Sequence, residues 1–247
     1  MIKFHKKIAV FKVYETWFTH KYSFRDIFGL NAFMHIKGKR SKKIFGVREI
    51  THTIEIDLMQ ETDCILSNFS GGICNQSKKS EKEGTTCFFH HDIDGFVKFY
   101  NDFATKKGTY TTSKEKLQTL GNYLKISSAK NNGKILAAHS YMVDEELGIV
   151  RGINSGTMRL NDNYDKNLIG RANKYLFLKD ILHFKKMGLK TFDFGGYAKD
   201  TTNPSLKGIN EFKLMFGGKV VKCINYYSYN YWLLKKVTKL FGLTGKL

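Results

Sequence analysis

The chain has 247 residues, 42% of them hydrophobic and 14% aromatic, with 41 Lys and Arg against 22 Asp and Glu. That length and apolar content fit one large globular domain, or a domain with an extension, and exclude a disordered chain. No apolar run reaches the ~18 residues that a membrane-spanning helix needs, and the net charge of +19 favours polyanionic partners: nucleic acid, anionic lipid or a phosphate-rich ligand.

In chain order, residues 7–14 alternate as a strand does, and residues 22–35 are aromatic-rich and predict a short helix behind a Ser23 cap. Residues 37–43 form a basic loop. Residues 43–58 predict one or two strands, with clean period-two alternation over 53–58. Residues 59–84 read as helix broken at Gly71 and Gly72, and residues 85–90 as a strand. In residues 92–107, Ile93, Phe96, Val97, Tyr100 and Phe103 fall at helical spacing. Residues 113–127 predict another helix, with Leu117, Leu120 and Leu124 on one stripe. Residues 134–143 and 147–157 predict a hairpin, 167–187 a helix and 189–194 a strand. A short helix over 208–216, a strand over 219–227 and an amphipathic helix over 229–241 complete the order. There is no signal-peptide pattern. Cys64, Cys74, Cys87 and Cys223 contain no C-x-x-C pair, so free thiols in a cytoplasm are expected and a metal site is not.

Four places carry candidate chemistry. Residues 191–218, TFDFGGYAKDTTNPSLKGINEFKLMFGG, run from a strand into Gly195 and Gly196, through a loop with the only proline, to a short helix closed by Gly217 and Gly218. Paired glycines let backbone approach closely. Asp193 ends the strand, where open α/β sheets bind ligands, and accepts a proton or orients an amine; its other reading is a turn cap. Lys213 lies off the apolar stripe of the short helix and, in a closed site, stabilises an oxyanion or phosphate. His139, beside Tyr141 on one strand face, is placed to take a proton from an attacking ammonium, although a lone strand histidine is more often a core residue. Asn167, Gly170, Arg171, Ala172 and Asn173 open a helix, where free backbone N–H groups and small residues suit a pyrophosphate; the alternative is packing. Hydrolase elbows, Walker loops and clustered metal ligands are absent from the sequence.

The D-F-G-G run followed by K-G-I-x-E-F-K-x-x-F-G-G resembles the C-terminal signature of Fem-type peptidyltransferases and their acyltransferase relatives, a superfamily with the GCN5-related N-acyltransferase (GNAT) fold. The resemblance covers residues 54–227 and includes Phe99 and Tyr100, residues 172–176, and the Phe212-Lys213 pair. On the helix of residues 73–84, Asn75 and Ser77 depart from the usual arginine and apolar residue. The resemblance implies an α/β (α+β) GNAT fold, with a central mixed, mostly antiparallel twisted sheet flanked by helices. It also implies a pyrophosphate cradle at Gly170 and Ala172, substrate contacts from Tyr141, Gly195, Gly196 and Phe212, and a charge-stabilising Lys213.

From this follow the expectations. Residues 1–50 form an N-terminal extension and 51–247 one GNAT-like domain ending in the amphipathic helix. An acyl group, most simply acetyl, moves from acyl-CoA, without a metal, to an amine on a small-molecule or a lipid- or nucleotide-linked sugar of a cell-envelope polysaccharide precursor. Aminoacyl-tRNA is the alternative donor, because Fem-type enzymes use it, and a non-enzymatic nucleic-acid- or membrane-binding protein is the third reading. The location expected is cytoplasmic, peripheral at the inner face of the membrane through the C-terminal helix.

Overall fold

A computed structural model describes residues 1–8, 10–19, 23–37, 46–70, 72–161 and 164–240. The chain folds into two compact units, Met1–Thr53 with Val221–Leu247, and Ile54–Val220.

In the first unit the strands run in the order β1 (Ile2–Ile8), β2 (Phe11–Trp17), β3 (Asn31–Ile36) and β10 (Lys219–Tyr227). The single strand expected over 7–14 is a hairpin, with Ile8 opposite Phe11 in an antiparallel register. Residues 8–11 are an unbroken apolar run with no glycine, proline or polar residue to signal a turn, so the sequence hides it. Helix α1 (Phe24–Phe28) starts at the Ser23 cap as expected, then stops at Gly29 and gives way to β3. Helix α8 (Tyr229–Leu240) follows β10. The basic loop of 37–43 lies outside the described residues apart from Lys37.

The second unit orders its strands β4 (Val47–Asp57, of which residues 54–57 fall in this unit), β9 (Thr191–Gly196), β8 (Ile149–Thr157), β7 (Lys134–Asp144), β6 (Leu124–Asn131) and β5 (Thr86–His90). The β5–β6, β6–β7 and β7–β8 pairs are antiparallel and β8–β9 is parallel. The helices are α2 (Thr62–Ser67), α3 (Ile73–Lys82), α4 (Ile93–Lys107), α5 (Lys114–Gln118), α6 (Lys166–Lys186) and α7 (Pro204–Leu214). The helix expected over 113–127 ends at Gln118, and Leu124 opens β6. Leucines three and four apart suggested one helical face, but Leu117 lies on α5 and Leu124 pairs with Met142 across the sheet.

Helices α4, α6 and α7 each have a side-chain cap at their start. Asp92 accepts the Gly95 N–H at the head of α4 and Asp165 the Asn167 N–H at the head of α6. Asn203 accepts those of Ser205 and Leu206, with Pro204 in the first turn of α7. The core is aromatic: Phe177 and Phe184 of α6, Phe192 and Phe194 of β9, Tyr141 of β7 and Phe216 pack together, all buried. Among the described residues no helix is long and apolar enough to cross a membrane.

Candidate functional site

The parallel register of β8 and β9 runs from Ile149 opposite Thr191 to Arg151 opposite Asp193. That register sets the Arg151 guanidinium beside the fully buried Asp193, and the two form a close ion pair through Oδ2. The other carboxylate oxygen, Oδ1, accepts the Gly195 N–H at 2.7 Å. Gly195 has φ +78°, and a methyl group there would sit 2.9 Å from the Gly152 carbonyl oxygen. Only glycine lets β9 turn this close to β8.

After Gly196 the chain loops to α7, and Asn210 holds the loop by bonding both the N–H and the carbonyl of Ala198. Helix α7 then returns Lys213 to the end of β9. Its ammonium donates to the Gly196 carbonyl at 2.7 Å and the Gly195 carbonyl at 3.4 Å. Burial pushes its pKa down to about 8; the Arg151 cation pushes the same way and Asp193 opposes. Phe212, next to it, packs on Phe177 and Phe216 in the core. The second glycine pair is also a close approach. A methyl on Gly217 would meet the Asn68 backbone oxygen at 2.7 Å, and one on Gly218 would lie 2.5 Å from an Ile54 methyl. The structure thus brings Asp193, Gly195, Gly196 and Lys213 into one cluster, with Phe212 beneath it. The addition that sequence reasoning missed is Arg151, whose place depends on a parallel register joining strands far apart in the chain.

His139 and Tyr141 stand elsewhere, in the interior. His139 Nδ1 lies 2.9 Å from Asp180 Oδ2 and 3.0 Å from the Tyr141 hydroxyl, and Nε2 lies 2.9 Å from Asn173 Oδ1. Tyr141 donates to the same Asp180 oxygen at 2.6 Å, as does Ser127 at 2.8 Å. Burial, then the Asp180 charge, holds the Tyr141 pKa well above its ordinary value. His139 and Tyr141 are each 1% exposed, and the His139 ring packs 3.9 Å from Phe177. Both nitrogens of His139 are engaged, so it offers no open base. Tyr141 offers no surface to a substrate. Asn173 is a partner within this network, which is organised by Asp180, a residue legible from sequence only as a helix position.

The expected pyrophosphate cradle is also corrected. Residues 167–173 lie inside α6, which starts at Lys166. The Ile169 N–H already bonds the Asp165 carbonyl, so the N–H groups of Gly170, Arg171 and Ala172 belong to the helix ladder. The Asn167 N–H is taken by the Asp165 carboxylate. Arg171 is held by Glu83 through two bonds, at 2.8 and 2.9 Å, and Ala172 is buried against Ile169 and Leu176. These residues do not fit a diphosphate.

No protein family model matches the chain, and no curated protein matches it in sequence. Its fold does find partners among solved structures. FemX superposes with a TM-score of 0.58 at 12% identity, over 76% of this chain and 63% of that one. The C-terminal domain of an Agrobacterium fabrum protein assigned as a lysylphosphatidylglycerol synthetase also scores 0.58, at 13% identity, over 87% of this chain and 72% of that one. The fold is the one that these two structures share. L-PGS from Bacillus licheniformis shares this fold too, with a TM-score of 0.57 at 16% identity over 89% of this chain and 74% of that one. This chain therefore spans less than two thirds of the FemX chain.

Proposed function

We propose that the chain is an acyltransferase that moves an aminoacyl group from aminoacyl-tRNA to an amine. The observation that carries this reading is the cluster of Arg151, Asp193 and Lys213 at the end of the β8–β9 pair. A partly desolvated ammonium held by the Gly195 and Gly196 carbonyls is suited to meet negative charge as it develops on a carbonyl oxygen. In the reaction, the amine lone pair attacks the ester carbon, the C–N bond forms, the ester C–O bond breaks, and the amine's proton leaves with the tRNA hydroxyl. Asp193 and Arg151 act as positioning residues: the carboxylate fixes the Gly195 turn, whose carbonyl and that of Gly196 orient Lys213.

Two things favour an aminoacyl ester over acyl-CoA. The N–H groups of residues 170–172 are used by α6, and the +19 charge suits a polyanionic donor. The acceptor proposed is an amine on a cell-envelope precursor, a sugar or a lipid-linked sugar, reached from the cytoplasmic side. The test incubates the purified chain with charged tRNA and amine acceptors. Amide product, with tRNA binding that weakens steeply as salt rises, supports the reading. Turnover of acetyl-CoA instead, with thermal stabilisation by it, overturns the donor. Turnover of neither overturns acyl transfer.

A further inference from the structure

The unit made of residues 1–53 and 221–247 carries most of the charge: 17 Lys and Arg against three acids, a net +14 of the chain's +19. On the same unit, α8 has two apolar faces. Tyr231 and Thr238 are buried against the unit. On the outer face, Tyr229, Leu233, Val237 and Leu240 follow each other at spacings of four, four and three, which is one helical stripe, and all are exposed, Leu233 at 56% and Leu240 at 84%. Helix α1 extends the patch. Phe24 and Phe28, one turn apart and 70% and 62% exposed, pack edge to face at 5.1 Å. The Asn230 side chain ties the Phe28 carbonyl to the start of α8 at 2.7 Å.

Cations flank this stripe. Lys236 lies 3.9 Å from the centre of the Trp232 ring, Lys235 lies 4.8 Å from that of Tyr227, and Arg25 is exposed on α1. The acid on these two helices, Asp26, is turned to the Ser23 N–H at 2.7 Å. Exposed hydrocarbon and aromatic rings beside lysines, on a unit with almost no acids, match an anionic bilayer surface in both terms. RNA would use the charge and leave the leucines in water.

We propose that α1 and α8 form a membrane-docking face that lies flat on anionic lipid, with Phe24, Phe28, Leu233 and Leu240 entering the headgroup layer. This stands independently of the acyl-transfer reading. The test is sedimentation of the full chain with sucrose-loaded vesicles of pure phosphatidylcholine, or of phosphatidylcholine with phosphatidylglycerol, against the variants Leu233→Glu with Leu240→Glu and Phe24→Ser with Phe28→Ser. All four positions are exposed, so circular dichroism and Tm should stay at the wild-type values. The expected result is binding to the anionic vesicles, at least about tenfold weaker binding to the neutral ones, and about a tenfold or greater loss in either variant. Undiminished binding by both variants would mean charge alone holds the chain, and overturns the docking face. So would a wild type that ignores anionic vesicles, or a dimer in solution that Leu233→Glu dissolves. Vesicle binding by Lys213→Met at the wild-type level separates this proposal from the fate of the proposed reaction.

Discussion

Replacing Lys213 by methionine changes stability in a pH-dependent way that the site geometry dictates. The folded chain holds this ammonium with a pKa of about 8, chiefly because it is buried and secondly because Arg151 faces it. In the unfolded chain the group titrates near ~10.4. Below about pH 8 both states carry the proton, and the folded state bears the full cost of confining a cation. From there to ~10.4 the unfolded state binds a proton that the folded state lacks, so stability rises with pH, and above that the cost is gone. The gap between the two values corresponds to roughly 3 kcal/mol. Partial solvent access reduces it to about 1–2 kcal/mol. The variant has no such term, and the other lysines and tyrosines cancel in the comparison. Urea unfolding of both proteins at pH 7 and pH 10 should therefore show the wild type gaining about 1–2 kcal/mol on Lys213→Met. A difference that does not move with pH would mean that Lys213 is an ordinary solvated lysine, and the desolvated cluster would have to be abandoned.

Three further substitutions probe the same architecture. Asp193→Asn leaves the Arg151 guanidinium facing a neutral amide in a buried place, and a loss of about 3–5 kcal/mol in urea unfolding is expected; a change under ~1 kcal/mol would show the pair to be dispensable. Gly195→Ala forces a side chain into φ +78° and against the Gly152 carbonyl, whereas Gly196→Ala meets nothing within 4 Å. The first should cost about 1–3 kcal/mol and the second under ~0.5, and equal effects would contradict the turn geometry. Asp180→Ala strips the shared acceptor from Ser127, Tyr141 and His139, so it should cost more than ~3 kcal/mol while Ser127→Ala costs about 1. Near-equal losses would show that Asp180 does not anchor that network.

What was legible in the sequence was what is local in it. The first glycine pair and the Asp193-to-Lys213 loop sit within one stretch of the chain, and Lys213 does return to Gly195 and Gly196, whereas Gly217 and Gly218 close against Asn68 and Ile54 instead. Arg151 was invisible because nothing near it in sequence names its partner; the β8–β9 register does. The small residues Gly170 and Ala172 look the same at a loop and inside a helix. The deciding signal was Asp165, an N-cap acid just upstream that starts α6 early enough to consume their N–H groups. His139 and Tyr141 were correctly placed on one strand face, but burial is a property of what packs over that face, here Phe177 and Asp180 of α6. Residues 124–127 were lost to a helical leucine spacing whose last member, Leu124, belongs to β6, in a segment whose buried Ser127 and Ser128 carry no strand signature.

The central claim is that Lys213 faces the reacting carbonyl. Single-turnover transfer from charged tRNA to an amine acceptor, compared between wild type and Lys213→Met, measures this directly. The account predicts a rate about 10²–10³-fold lower in the variant, or about 2.7–4 kcal/mol of lost transition-state stabilisation, with tRNA affinity unchanged. A variant that transfers within about threefold of wild type would contradict it, because an oxyanion-stabilising group is worth far more than that.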